Sequence, residues 1–263
     1  MTTYEETIST YDQAIGFQGQ TREAPEAAEA QEAKAAERRV WDLPVRIFHW
    51  TLVLAVAAAF VTNKLGVKFF KYHVWAGYAV IVLVGFRLIW GFVGTRHALF
   101  RNFVRAPSET LAYARDLRAG KEKPYAGHNP LGALMVLALL GALGLQAIFG
   151  LFGNDEIFNA GPFAGAVSKT LSLTLTSIHR QLFYWLAGGV ALHVLAVAAH
   201  KIFRNENLAR AMITGRKPAE VVPPQEAIHS SKLWLAVVLA EAVVIALALV
   251  IAHAPAAADI GDY

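Results

Sequence analysis

Nine histidines occur in this chain of 263 residues, and His49, His73, His179 and His193 stand out among those in or at the edge of long apolar runs. Ionisable side chains inside a membrane span are rare and default to a functional role with a definable partner. His49 stands in Arg46-Ile47-Phe48-His49-Trp50 near the start of the first apolar run, and His73 opens the second. His179 opens the fourth, and His193 lies fourteen residues deeper in it. On a helix, that spacing is a rise of about 21 Å and a rotation of about 1400°, within ~40° of four full turns. Both side chains therefore leave one face at two depths. His73 shares the depth of His179, and His49 lies on the same side of the bilayer as His193. Two pairs follow: His73 with His179, and His49 with His193. Two neutral imidazoles facing each other between packed helices can hold a haem iron from both sides, and bundle cores commonly house such sites. Two irons ~20 Å apart along a span bring their macrocycle edges close enough for electron tunnelling. Zinc needs three or four ligands at one depth, whereas each depth here offers two clear candidates.

Cationic side chains accompany these pairs. Arg46 is one turn from His49, and Arg87 lies fourteen residues after His73, on the ligand face at the depth of the inner pair. Lys71 and Arg180 flank the outer pair. All four suit anionic haem propionates; marking helix ends at the headgroups explains all but Arg87 equally well. Gly77, Gly85, Gly188 and Gly189 let a flat macrocycle approach the backbone or let helices pack closely. His200 shares the face of His193 about 10 Å nearer the inner surface, as an alternative partner of His49 or a neighbour of a propionate. His97, His128, His229 and His253 read as solvated.

The elements that must position these residues follow from composition. The chain is 56% hydrophobic and 17% charged, with a mean hydropathy of +0.40. Soluble domains are nearer about 25% charged, so lipid is the expected solvent. About 20 apolar residues cross a bilayer as a helix, and five segments qualify: 47–65, 73–94, 131–152, 178–200 and 233–253. Their uniform apolarity excludes barrel strands, which alternate with period two. Asn129-Pro130 reads as N-cap and first residue of the third span, and Glu109 to Leu117 as an amphipathic stretch along the membrane surface. With no cysteine, disulfides, cysteine-ligated clusters and c-type haem attachment are excluded.

The net charge of +4 does not indicate nucleic acid, because the basic residues cluster between apolar runs. Seven Lys/Arg lie in 95–130 and six follow the fourth span, against three in 63–72 and one in 153–177. That bias predicts a multi-pass protein with a cytoplasmic N-terminus and an outer C-terminus. Residues 1–40, with Glu26, Glu29, Glu32 and Glu37 among alanines, read as a polar, disordered or weakly helical cytoplasmic leader. The expected organisation is a leader (1–40), a four-helix haem-binding unit (41–217), and a linker with a fifth transmembrane helix and short outer tail (218–263). Glu241, near the middle of that fifth helix, should face protein or a partner.

The run Val40-Trp41-Asp42-Leu43-Pro44-Val45-Arg46-Ile47-Phe48-His49-Trp50 resembles the bacterial di-haem cytochrome b561-type proteins, which include the b-type cytochrome subunit of nickel–iron hydrogenases. So do His73-Val74-Trp75-Ala76-Gly77-Tyr78, Arg87-Leu88-Ile89-Trp90-Gly91, Gly127-His128-Asn129-Pro130 and the His179–His193 spacing. The resemblance covers about 40–217. It implies an all-α membrane bundle of four helices holding two haem b groups, with ligands from helices 1, 2 and 4, hence His49, His73, His179 and His193. It also favours His193 over His200. It further implies the bacterial cytoplasmic membrane, a complex with an outer-side hydrogenase or c-type cytochrome, and quinone reduced near one haem. The acidic leader and fifth helix depart from that pattern. Two other classes fit the histidines less well: a proton- or metal-handling transporter, which needs acidic partners beside them, and a non-redox anchor, which needs no depth-matched pairs.

Overall fold

The structure, a computed structural model, describes residues 36–255; the leader through residue 35 lies outside the described residues. In chain order the elements are β1 (Glu37–Arg39), α1 (Leu43–Lys64), α2 (Phe70–Val93), α3 (Pro107–Ala119), α4 (Pro130–Leu151), α5 (Lys169–Arg204), α6 (Leu208–Thr214), β2 (Arg216–Pro218) and α7 (Leu233–Ala252). The five helices α1, α2, α4, α5 and α7 are long and apolar enough to cross a membrane. Helix α2 is central, packing on α1, α4 and α7, while α5 lies along α4. Val80 and Val84 of α2, Leu140 and Leu143 of α4 and Leu186 of α5 form the buried seam.

Two boundaries differ from the sequence expectation. Helix α1 begins at Leu43 rather than 47, because Asp42 caps it: its carboxylate accepts the Val45 amide at 2.6 Å, and Pro44 occupies the first turn. Helix α5 begins at Lys169, nine residues before the expected start, capped by Ser168. Its 36 residues span about 54 Å, well beyond a ~30 Å hydrocarbon core. The Ser/Thr-rich first turns are held by the adjoining loop: the Ser172 hydroxyl donates to the Phe152 carbonyl at 2.7 Å, and the Asn154 amide donates to Thr176 Oγ1 at 2.9 Å. Asn129 caps α4 as expected, accepting the Gly132 amide at 2.7 Å.

The all-helical expectation holds, with one short addition: β1 and β2 pair antiparallel through residues 37–39 and 216–218. Glu37 also pairs with Arg210. The basic segments gather at one end of the bundle, and residues 219–232 wrap across it. There Arg38 donates to the carbonyls of Ala219 (2.9 Å) and Val222 (2.6 Å), and Lys232 Nζ donates to those of Val93 (3.1 Å) and Gly94 (2.8 Å). Helix α7 then packs on α2, with Val243 against Gly85 at 3.2 Å from the position of a Cβ. Glu241 points away from the described chain.

Asp42 ties this end together. It is 1% exposed and accepts from Val45 N, from Trp90 Nε1 at 3.2 Å and from the Thr95 hydroxyl. Replacing it with Ala removes an N-cap, worth about 1 kcal/mol, and orphans two buried donors at about 1 kcal/mol each. Asp42→Ala is therefore expected to cost roughly 3 kcal/mol of stability, read as a lowered Tm in detergent, whereas Glu109→Ala on the exposed face of α3 leaves Tm unchanged.

Candidate functional site

A cavity of about 2630 Å³ runs through the bundle, lined by His49, His73, His179 and His193. Ligand pockets are commonly about 300–1,000 Å³, so this space accommodates more than one large planar group. All four expected histidines open on it.

At the less basic end, His73 of α2 and His179 of α5 face each other with ring centroids 6.1 Å apart. His73 Nδ1–H donates to the Ala59 carbonyl and His179 Nδ1–H to the Gln146 carbonyl, each at 2.8 Å. A carbonyl oxygen can only accept, so both rings carry the proton on Nδ1 and present the Nε2 lone pair. That is the orientation metal-ligating histidines adopt, the second nitrogen being fixed by a backbone carbonyl. Metal–nitrogen bonds of about 2 Å on either side of one atom put ring centroids roughly 6 Å apart. The donor set fits a bis-imidazole metal group.

Gln146, unassigned from sequence, lies beside this pair: its side-chain amide donates to His179 Nε2 at 3.3 Å. It must turn aside for a metal to reach that nitrogen. Gly150 is equally close, since a Cβ there would sit 3.0 Å from His179 Cε1. Neither was recognisable from spacing, because both act from α4, which carries no histidine. Phe60 and Phe183 stack one turn further in, 5.5 Å between centroids and 6° from parallel.

Toward the basic end, His49 and His193 lie near enough to interact electrostatically, and His49 Nδ1 is buried without a hydrogen-bond partner. Arg87 is 2% exposed, lines the cavity and leaves Nη1 unpartnered. Its guanidinium lies 5.1 Å from the Phe100 ring and 5.9 Å from that of Phe103. A buried cation with an unmet donor, aimed into a cavity, suits an anionic group there. Arg180 also lines the cavity, at the outer pair. Arg46 instead donates to the Ile213 carbonyl in α6, and Lys71 lies 5.0 Å over the Tyr72 ring; neither lines the cavity.

The glycines divide. Gly77 has no atom within 4 Å of a Cβ position and lines the cavity, whereas Gly85 and Gly189 abut Val243 and Leu139 and serve helix packing. His200 pairs with Glu206 at 3.4 Å. His229 and His253 are exposed, as expected.

His97 and His128 are not solvated. His97 is 7% exposed and its Nε2–H donates to the Glu226 carbonyl at 2.8 Å. His128 is packed between Trp41 and Phe103, 4.7 Å from each ring centroid, and its Nδ1 is buried without a partner. Burial, then the charges of Arg87 and Lys217, push His128 down to about 3. A base whose folded value lies below its unfolded one destabilises the fold as pH falls through the unfolded value and down to the folded one. The basic end is therefore expected to lose thermal stability as pH drops from about 6.5 towards 3. His128→Phe, which keeps the ring without its titration, should flatten that dependence.

The profile of the prokaryotic cytochrome b561 family matches residues 40–215. The chain belongs to that family. It is thus a multi-pass membrane b-type cytochrome, and the match begins just after β1 and runs through the histidine-bearing helices and α6. Among its relatives, a probable Ni/Fe-hydrogenase B-type cytochrome subunit of Azotobacter chroococcum mcd 1 is 25% identical over 67% of this chain and 86% of its own length. Similarly named proteins of Rhodobacter capsulatus (22%; 68% and 80%) and Azotobacter vinelandii (25%; 67% and 86%) are also similar. No solved structure matches the chain.

Proposed function

We propose that this cytochrome holds two haem b groups, one between His73 and His179 and one between His49 and His193, and relays electrons across the membrane between an outer-side redox protein and quinone. The observation that supports it most is the facing pair His73 and His179, each ring fixed through Nδ1 with Nε2 directed to shared space. Haem supplies a reversible one-electron carrier; the chain supplies ligation, burial and charge neutralisation. Arg87 and Arg180 are the residues placed to meet propionates, and the haem-binding unit is 41–217. By the positive-inside rule the basic end is cytoplasmic, in a bacterial inner membrane, and the C-terminus is outside. The names of the relatives make a hydrogenase the favoured donor. The test is a dithionite-reduced minus oxidised visible spectrum of the purified protein: a sharp b-type alpha band is expected, and a colourless preparation from haem-replete cells contradicts the proposal.

A further inference from the structure

At the basic end of the cavity, His200 lies beside the Glu206 carboxylate. Its Nδ1 faces Glu206 Oε2 at 3.4 Å, and the other Glu206 oxygen accepts Lys217 Nζ at 2.7 Å. Lys217 is 4% exposed and is itself fixed by donating to the Tyr125 carbonyl at 3.0 Å. The Glu206 amide also donates to the His200 carbonyl at 3.2 Å, closing the turn that carries the carboxylate back over the ring. His200, Glu206 and Lys217 all line the cavity. Lys123, Arg210 and Arg216 also line the cavity, as do Glu122, paired with Arg204 at 2.5 Å, and the Tyr113 phenol, which burial and then Glu122 push up to about 12. Tyr113 therefore stays protonated and is no rival base at neutral pH.

A base at ion-pair distance from a carboxylate, on the wall of a cavity, is placed to act as a general acid–base catalyst. We propose that His200 exchanges the proton of quinone chemistry at the inner end of the cavity, with Glu206 and Lys217 as positioning residues. The inference rests on the quinone reading above. The balance is quinone plus two electrons and two protons giving quinol. The electrons come from the haem-carried relay. The imidazolium Nε2–H goes to a quinone oxygen, Glu206 stabilises the charged ring beforehand, and water at the basic end reprotonates Nε2 for the second transfer. In quinol oxidation the same steps run backwards.

The test uses the full-length holoprotein, reduced with dithionite freed of excess, and mixed with a short-chain benzoquinone while haem reoxidation is followed from pH 5.5 to 8.5. His200→Gln is expected to keep both haem equivalents and to reoxidise about 100-fold more slowly at pH 8. Its rate should rise about tenfold per unit fall in pH, where the native rate is nearly flat, and imidazole in the buffer should restore it. Glu206→Gln should show the same profile more weakly. Independently of turnover, a non-reducible quinone analogue should bind the oxidised His200→Gln protein about fivefold more weakly, one hydrogen bond being lost. Native-like rates and pH profile in His200→Gln overturn the inference while leaving the quinone reading intact. Loss of a haem equivalent overturns it by making His200 a ligand. Native protein inert to the benzoquinone overturns the quinone reading and the inference together.

Discussion

His73→Ala and His179→Ala are each expected to lose one haem equivalent per chain and to keep the other. The two rings face one point in the cavity, 6.1 Å apart between centroids. Gln146 is the polar side chain bonded to His179 there, and an amide is a poor ligand for haem iron beside an imidazole. His49 and His193 sit about 21 Å further along the bundle, given fourteen residues of continuous α5 between His179 and His193. That distance isolates their site from the lost ligand. The measurement is the pyridine haemochrome content per polypeptide with the reduced spectrum. Loss of both haems at once would indicate a collapsed bundle, and the more conservative Gly150→Ala separates that case. It presses a methyl to 3.0 Å from His179 Cε1, so it should perturb the outer spectrum without emptying either site.

The second large effect is electrochemical. Arg87 lines the cavity, is 2% exposed and leaves Nη1 unpartnered. Its charge stabilises the reduced, more negative state of a nearby redox centre. At a separation of several ångströms and an effective dielectric near 20, a unit charge contributes roughly 2 kcal/mol, which is on the order of 100 mV for a one-electron couple. Arg87→Gln is expected to lower the potential of the His49–His193 haem by about that amount and leave the other within error, as read by a redox titration. Arg87→Lys keeps the charge and should restore most of the difference. Equal shifts in both couples, or none, would remove Arg87 from this role.

Much of this arrangement was legible because it depends on local periodicity. Five apolar runs gave five spans, Asn129-Pro130 marked a helix start, and fourteen-residue spacing placed His179 and His193 on one face. What escaped depends on distant partners. Asp42 becomes a hub only because Trp90 and Thr95, some fifty residues away, bring donors to it. Its capping role was readable from Asp42-Leu43-Pro44, a signal that the later apolar start concealed. Loop histidines look solvated until Trp41 and Phe103 close around His128. The early start of α5 was masked by Ser and Thr residues, whose hydroxyls are satisfied by α5's own carbonyls and by the loop at 152–154. Residues 218–232 read as a linker because their attachments run through backbone carbonyls, which no composition reveals: Arg38 and His97 donate to those of Ala219, Val222 and Glu226, and Lys232 donates to those of Val93 and Gly94.

The same reasoning separates cations that serve the cavity from cations that serve the fold. Arg46 and Arg87 both stood near the inner pair by spacing. Only Arg87 faces the cavity, because α6 folds back to present the Ile213 carbonyl to Arg46.

In the proposed arrangement two imidazole pairs each clamp one haem, and low-temperature electron paramagnetic resonance of the oxidised protein, calibrated against haem content, tests it. Two haems per chain, both low-spin with bis-imidazole signatures, are expected. One haem per chain, or a high-spin signal from a singly ligated iron in the native protein, would contradict it.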